Sequence, residues 1–147
     1  MSLKTELQTA MKDAMRAKDK ARLSIVRMML ADIKRVEVDE RTELDDDRIL
    51  AILDKMQKQR RDSLAQYEAA GRQDLADTEK AELEVIVQFL PAALSADELQ
   101  ALVQSAITES GAQSMKDMGQ VMAILKPQVQ GRADMSQVSK QVKAQLG

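Results

Sequence analysis

The sequence predicts an all-α fold, a bundle of about four helices followed by a small three-helix carboxy-terminal domain. Three observations carry that prediction. Apolar residues recur at i, i+3, i+4 and i+7 along nearly the whole chain. Helix-start residues and turn glycines punctuate the pattern every 15–25 residues or so. Aromatic side chains are nearly absent, with Tyr67 and Phe89 the only two, so the core must be built from aliphatics and ten Met, which suits interleaved helices better than a β-sandwich.

Ser2 is placed to cap a first helix whose stripe is Leu3, Leu7, Ala10, Met11, Ala14 and Met15. Lys18-Asp19-Lys20 marks a break. A second helix then buries Leu23, Val26, Leu30 and Ile33, broadened by Ile25 and Met29, and ends near Val38. The acidic segment Glu37 to Asp47 follows, and Asp45, Asp46 and Asp47 favour a helix start through capping and the macrodipole. The third pattern, Ile49, Ile52, Leu53, Met56, Arg60, Ser63, Leu64 and Tyr67, runs to Gly71; Arg60 and Ser63 predict a middle that is only partly buried. Asp74 is expected to open a fourth helix, with Leu75, Leu83, Ile86 and Phe89, that stops before Pro91.

Leu90-Pro91-Ala92-Ala93-Leu94 is the candidate boundary, giving domains over 1–90 and 95–147. Ser95 with Glu98 spells a capping box, and Leu99, Leu102, Val103, Ala106 and Ile107 form the next face, up to Gly111. Ser114 with Asp117, and Asp134 with Gln137, read as further caps. They start helices bearing Met115, Met118, Val121, Met122 and Leu125, then Met135, Val138, Val142 and Leu146. Pro127 kinks or stops the earlier of the two, and Gly131 suits a left-handed turn between them.

Composition excludes several chemistries. The 147 residues contain no Cys and no His, which removes disulfides, thiolate or imidazole metal sites and the His-dependent nucleophilic triads. No P-loop, GxGxxG or GxSxG is present. Glu79, Glu82 and Glu84 read as a solvated face, because a di-metal bundle would need Glu-x-x-His pairs. No catalytic residue, metal or cofactor is expected. The amino terminus lacks the apolar block of a signal peptide and no run is long enough to span a bilayer, so a cytoplasmic, membrane-free protein is expected.

The net charge of −2 is unevenly spread. Residues 1–35 hold nine Lys and Arg against four Asp and Glu, and residues 36–54 hold two against eight. Lys20, Arg27 and Lys34 fall seven apart, forming one stripe along the second helix. Such a stripe either neutralises phosphates or is itself neutralised by Asp19, Asp32 and Asp62. Two further candidates lie near the carboxyl end. Gly131 and Arg132, with Lys126 close by, form a corner where a glycine admits close approach and a new helix offers N–H groups to a phosphate. Gly119, inside a helix, costs about 1 kcal/mol against Ala, which close approach of a neighbouring helix or of an RNA backbone would justify.

The blocks RLSIVRMMLADIK, EVDERTELDD, QRRDSLAQYEAAGRQDLADTEKAELEVI, FLPAALS and MKDMGQVMAILKPQVQGRADMSQVSK together resemble the YqeY-like family over most of the chain. That family is similar to the carboxy-terminal tail part of the B subunit of aspartyl/glutamyl-tRNA amidotransferase and, more distantly, to a helical appendage of some glutaminyl-tRNA synthetases. The resemblance implies a helical bundle with a three-helix tail that helps hold tRNA. It also carries the label of a carbon–nitrogen ligase with glutamine as amido donor. The family's tail signature matches Gly119, Gln120, Val121 and Met122, then Gly131, Arg132, Ala133 and Asp134, with Lys126 where a base is usual. Gln130 stands where several relatives have Lys, and Met135 where many have Gly. The amidotransferase's catalytic core has no counterpart in these residues. The expectation is a non-catalytic tRNA-binding accessory module, with a partner in tRNA charging possible. Its rivals are a protein–protein adaptor using exposed Met faces and a component of an amidotransferase.

Overall fold

A computed structural model describes residues 2–147, which form seven α-helices and one short 3₁₀ turn, with no strand among the described residues. The chain divides into two compact units between Pro91 and Ala92.

The amino-terminal unit holds α1 (Leu3–Arg16), α2 (Lys20–Glu40), α3 (Asp46–Ala69) and α4 (Gln73–Val87). The Ser2 hydroxyl accepts from the Thr5 amide and caps α1, whose Leu3, Leu7, Ala10 and Ala14 face the core. Met15, expected on that stripe, is 51% exposed, and its neighbours Arg16 and Ala17 are exposed too, because the helix ends two residues beyond Ala14. Lys18 takes a left-handed φ of +56°, which breaks the chain before Asp19 caps α2. In α2 the buried line is Ile25, Val26, Met29 and Ile33, while Leu23 and Leu30 are half-buried. The core face is therefore rotated from the expected one. α2 also runs past Val38, to Glu40, and Arg41 closes it at a left-handed φ of +55°.

Asp45 caps α3 through the Arg48 amide, and Asp46 accepts from the Leu3 amide, tying the starts of α1 and α3 together. Ile49, Leu53 and Met56 of α3 meet Ile86 of α4 and the apolar face of α2 in one core. Arg60, on the α3 stripe, is 18% exposed, and its Nε lies 2.8 Å from Glu82 and 3.6 Å from Glu79. This corrects the solvated-face expectation for those two glutamates; only Glu84 is exposed. Asp74 does not open α4. The helix starts at Gln73 without a side-chain cap, and the Asp74 carboxylate pairs with Arg72 instead. α4 also ends earlier than expected, at Val87, and reaches Pro91 through turns closed by the Phe89 and Leu90 amides.

The carboxy-terminal unit holds α5 (Ala96–Ser110), a 3₁₀ turn (Met115–Asp117), α6 (Met118–Val129) and α7 (Met135–Leu146). Both bonds of the Ser95–Glu98 capping box form, and Gly111 ends α5 at φ +71°. Ser114 makes no cap bond; Asp117 reaches back to the Gln113 amide, so the local pattern closes a turn and not a box. Pro127 sits in the last turn of α6, and the helix continues two residues beyond it. Leu99, Val103, Ala106, Val121, Leu125, Val129, Val138 and Val142 make this unit's core. No helix among the described residues is long and apolar enough to cross a membrane.

Candidate nucleic-acid interface

The turn between α6 and α7 is built around Gly131, whose φ of +74° an L side chain adopts only with strain. Gly131 is buried, so its part is to make the turn, and a partner would meet its neighbours first. The amides of Arg132 and Ala133 both donate to the Val129 carbonyl. At the start of α7 the Asp134 carboxylate accepts from the Ser136 amide, and the Asp134 carbonyl takes those of Gln137 and Val138. Three of the N–H groups expected to await a phosphate, those of Ser136, Gln137 and Val138, are thus engaged within the chain.

Arg132 is half-buried, and its Nε donates to the Ala92 carbonyl at 3.0 Å. Its positive charge is one of the lesser influences on Glu98. There the bond from the Ser95 amide leads in holding the carboxyl below its ordinary range. Lys126 is exposed in the last turn of α6. Gly119 is exposed too, and a Cβ built there meets nothing within 4 Å, so the packed helix crossing that would explain it is not present in this unit.

Lys140 and Lys143, which the sequence reading passed over, are exposed three residues apart on α7. Their signal was available in the sequence as an asymmetry. α6 and α7 contain Lys126, Lys140 and Lys143 and no Asp or Glu, whereas α5 contains Asp97, Glu98 and Glu109 and no base. None of these three lysines makes an ion pair among the described residues.

In the amino-terminal unit, Lys20, Arg27 and Lys34 are all exposed along α2. The carboxylates expected to neutralise them do not: Asp19 caps the helix, Asp32 lies 3.7 Å from Arg35, and Asp62 makes no ion pair among the described residues. The seven candidates therefore fall on two separate units, Lys20, Arg27 and Lys34 on one, Gly119, Lys126, Gly131 and Arg132 on the other.

A family model described as Yqey-like protein matches residues 4–146. Among curated proteins, the chain is 29% identical over 145 residues to "Altered inheritance of mitochondria protein 41, mitochondrial" of Pyrenophora tritici-repentis, covering 96% of this chain and 79% of that one. The protein of the same name from Vanderwaltozyma polyspora is 38% identical over 85 residues, 57% of this chain and 46% of that one. The Lachancea thermotolerans protein is 35% identical over 107 residues, 70% of this chain and 57% of that one. The chain spans about half the length of these last two relatives.

Proposed function

The chain belongs to the Yqey-like family, and from that premise we propose that it is a non-catalytic accessory module that holds folded tRNA through its α6–α7 hairpin. The observation that carries this reading is the absence of any acid on α6 and α7 while Lys126, Lys140 and Lys143 stand exposed on them. Cations without carboxylate partners release counterions when they meet phosphates, which gives affinity that is salt-dependent and indifferent to sequence. With Tyr67 and Phe89 the only aromatics in the chain, base stacking has little to work with, so recognition goes through shape and backbone. An amino-terminal helical bundle followed along the chain by a three-helix tail is the layout that goes with this function.

The same reading makes the ligase label a description of a larger assembly's chemistry. Without Cys or His, this chain would contribute binding to such an assembly and not the amide-forming step. A cytoplasmic location belongs to the proposal, although the names of the relatives put those proteins in mitochondria. The adaptor reading draws on exposed methionines, Met15 and Met28 on the amino-terminal unit and Met115 on the carboxy-terminal one.

Filter binding of a tRNA transcript, titrated from about 50 to 200 mM salt, tests the proposal. The wild-type chain is expected to bind, and Lys126→Gln/Lys140→Gln/Lys143→Gln to lower the steepness of the salt dependence by about 2. No binding at the lowest salt, or an unchanged slope in the variant, would overturn it.

A further inference from the structure

The outward side of α2 reads Lys20, Ser24, Arg27, Ala31, Lys34, and all five residues are exposed. Steps of four and three residues keep them on one side of the helix. At the α-helical rise, successive cations stand about 10.5 Å apart and the three together span about 21 Å. A seven-residue step drifts only about 20°, so the row is nearly straight. Only a hydroxymethyl and a methyl lie between the long side chains, leaving the row open to a large partner.

The nearby acids hydrogen-bond or pair elsewhere, although the Lys34 charge is still one of the lesser influences on Glu37. Asp19 caps α2, Asp32 faces Arg35, Glu37 is turned inward to Lys4 and the Leu44 amide, and Glu40 takes Arg48. A spacing near the Debye length of about 10 Å at 0.1 M salt keeps mutual repulsion small and lets each cation act on its own. The other side of α2 supplies Ile25, Val26, Met29 and Ile33 to the core, so this helix has no apolar face to lay into a bilayer. A small anion would engage one cation at a time. A nucleic-acid strand presents a charge about every 3.4 Å of duplex axis, so a straight row of this length faces about six phosphates.

We propose that the Lys20–Arg27–Lys34 face of α2 is a second polynucleotide-backbone-binding surface, carried by the amino-terminal unit. It goes beyond the reading above, since it would hold even if the α6–α7 hairpin bound nothing.

Fluorescence anisotropy of a labelled tRNA transcript, over the same salt range, tests it with the full chain. Three proteins are compared: wild type, Lys20→Gln/Arg27→Gln/Lys34→Gln, and Lys126→Gln/Lys140→Gln/Lys143→Gln. The α2 variant is expected to bind about tenfold more weakly near 50 mM salt, with a salt slope shallower by about 2. All six positions are exposed, and unchanged far-UV circular dichroism would confirm that each variant is folded. Unchanged affinity and slope in the α2 variant, with loss in the hairpin variant, would overturn the α2 surface and leave the hairpin reading standing. The reverse pattern would support the α2 surface and sink the hairpin reading. No binding by wild type would end both. Binding of wild type to phosphatidylserine vesicles but not to RNA, abolished in the α2 variant, would also overturn the proposal, in favour of a membrane surface.

Discussion

Arg132 donates from Nε to the carbonyl of Ala92 at 3.0 Å, while its own carbonyl accepts from the Leu94 amide at 2.9 Å. One residue thus fastens the segment entering α5 to the turn between α6 and α7. The guanidinium that the sequence nominates for a phosphate has a structural task, which is why the hairpin variant above rests on lysines. Arg132→Ala is expected to destabilise the protein by about 1 kcal/mol, the usual net value of an intramolecular hydrogen bond, since partial exposure removes the premium of a charged donor. Urea unfolding measures it, and an unchanged midpoint would show that the clasp holds nothing.

A second long-range contact gives the protein a response to acid. Glu37 is 7% exposed and accepts from Lys4 Nζ at 2.9 and 3.0 Å and from the Leu44 amide at 3.0 Å. The Lys4 bond first, and the Leu44 amide next, hold its carboxyl below the ordinary 4.5. A lowered folded-state value means that the stabilisation is complete above the unfolded value and is lost as pH falls through the folded one. Wild-type stability should therefore decline as pH drops below about 4.5, and Glu37→Gln should flatten that part of the profile. At neutral pH the same substitution should cost about 1–3 kcal/mol, since it weakens three bonds at a buried site. Urea midpoints at a series of pH values decide the matter; parallel profiles for the two proteins would refute the assignment.

Arg60 offers a different test, because its pairing is incomplete. Its Nε is 2.8 Å from Glu82, yet that N–H and Glu79 Oε2 are both buried without a hydrogen bond. Its Nη2 rests on Met28 Sδ at 2.7 Å. Arg60→Met would leave the half-buried Glu79 and Glu82 of α4 without their cation, and should destabilise by about 1–3 kcal/mol. Replacing all three charges, Arg60→Met/Glu79→Leu/Glu82→Met, should restore wild-type stability or exceed it, as apolar groups fill the same space without desolvating ions. A triple variant less stable than Arg60→Met alone would show that the cluster is worth more than the apolar core that replaces it.

These contacts also mark how far the sequence could be read. Short-range devices were legible because both partners lie within one helical turn: Ser2 with Thr5, Asp45 with Arg48, Ser95 with Glu98. The same rule misled at Ser114 and Asp74, where competing local partners, Gln113 and Arg72, took the carboxylates. Periodicity placed the helices but left the α2 face rotated, since Leu23 and Ile25 are equally apolar and only the neighbours decide which turns inward. Lys4 with Glu37 and Arg132 with Ala92 are 33 and 40 residues apart, and no spacing rule connects them. Of the candidate interface, exposure on α2 and at Lys126 followed from the helical stripe. Lys140 and Lys143 required counting acids helix by helix, while the filled amides at α7 were announced by the Asp134 cap, whose side chain takes the Ser136 amide.

The two glycines of the carboxy-terminal signature should respond in opposite directions. Gly131 needs its φ of +74°, so Gly131→Ala should cost about 1–2 kcal/mol. Gly119 sits in the first turn of α6, outside the left-handed region, with open space where its Cβ would be. Gly119→Ala should therefore stabilise the protein by about 0.5–1 kcal/mol, a rise of a few degrees in Tm, by lowering the entropy of the unfolded chain. A glycine that costs stability and accommodates nothing within its own unit is a position where close approach from outside can be asked about directly. If an RNA backbone runs against this turn, Gly119→Ala will raise Tm and weaken tRNA binding together, whereas packing alone cannot couple the two in that sense. A variant that is more stable and binds as wild type does would remove Gly119 from the interface and leave the exposed lysines to carry it.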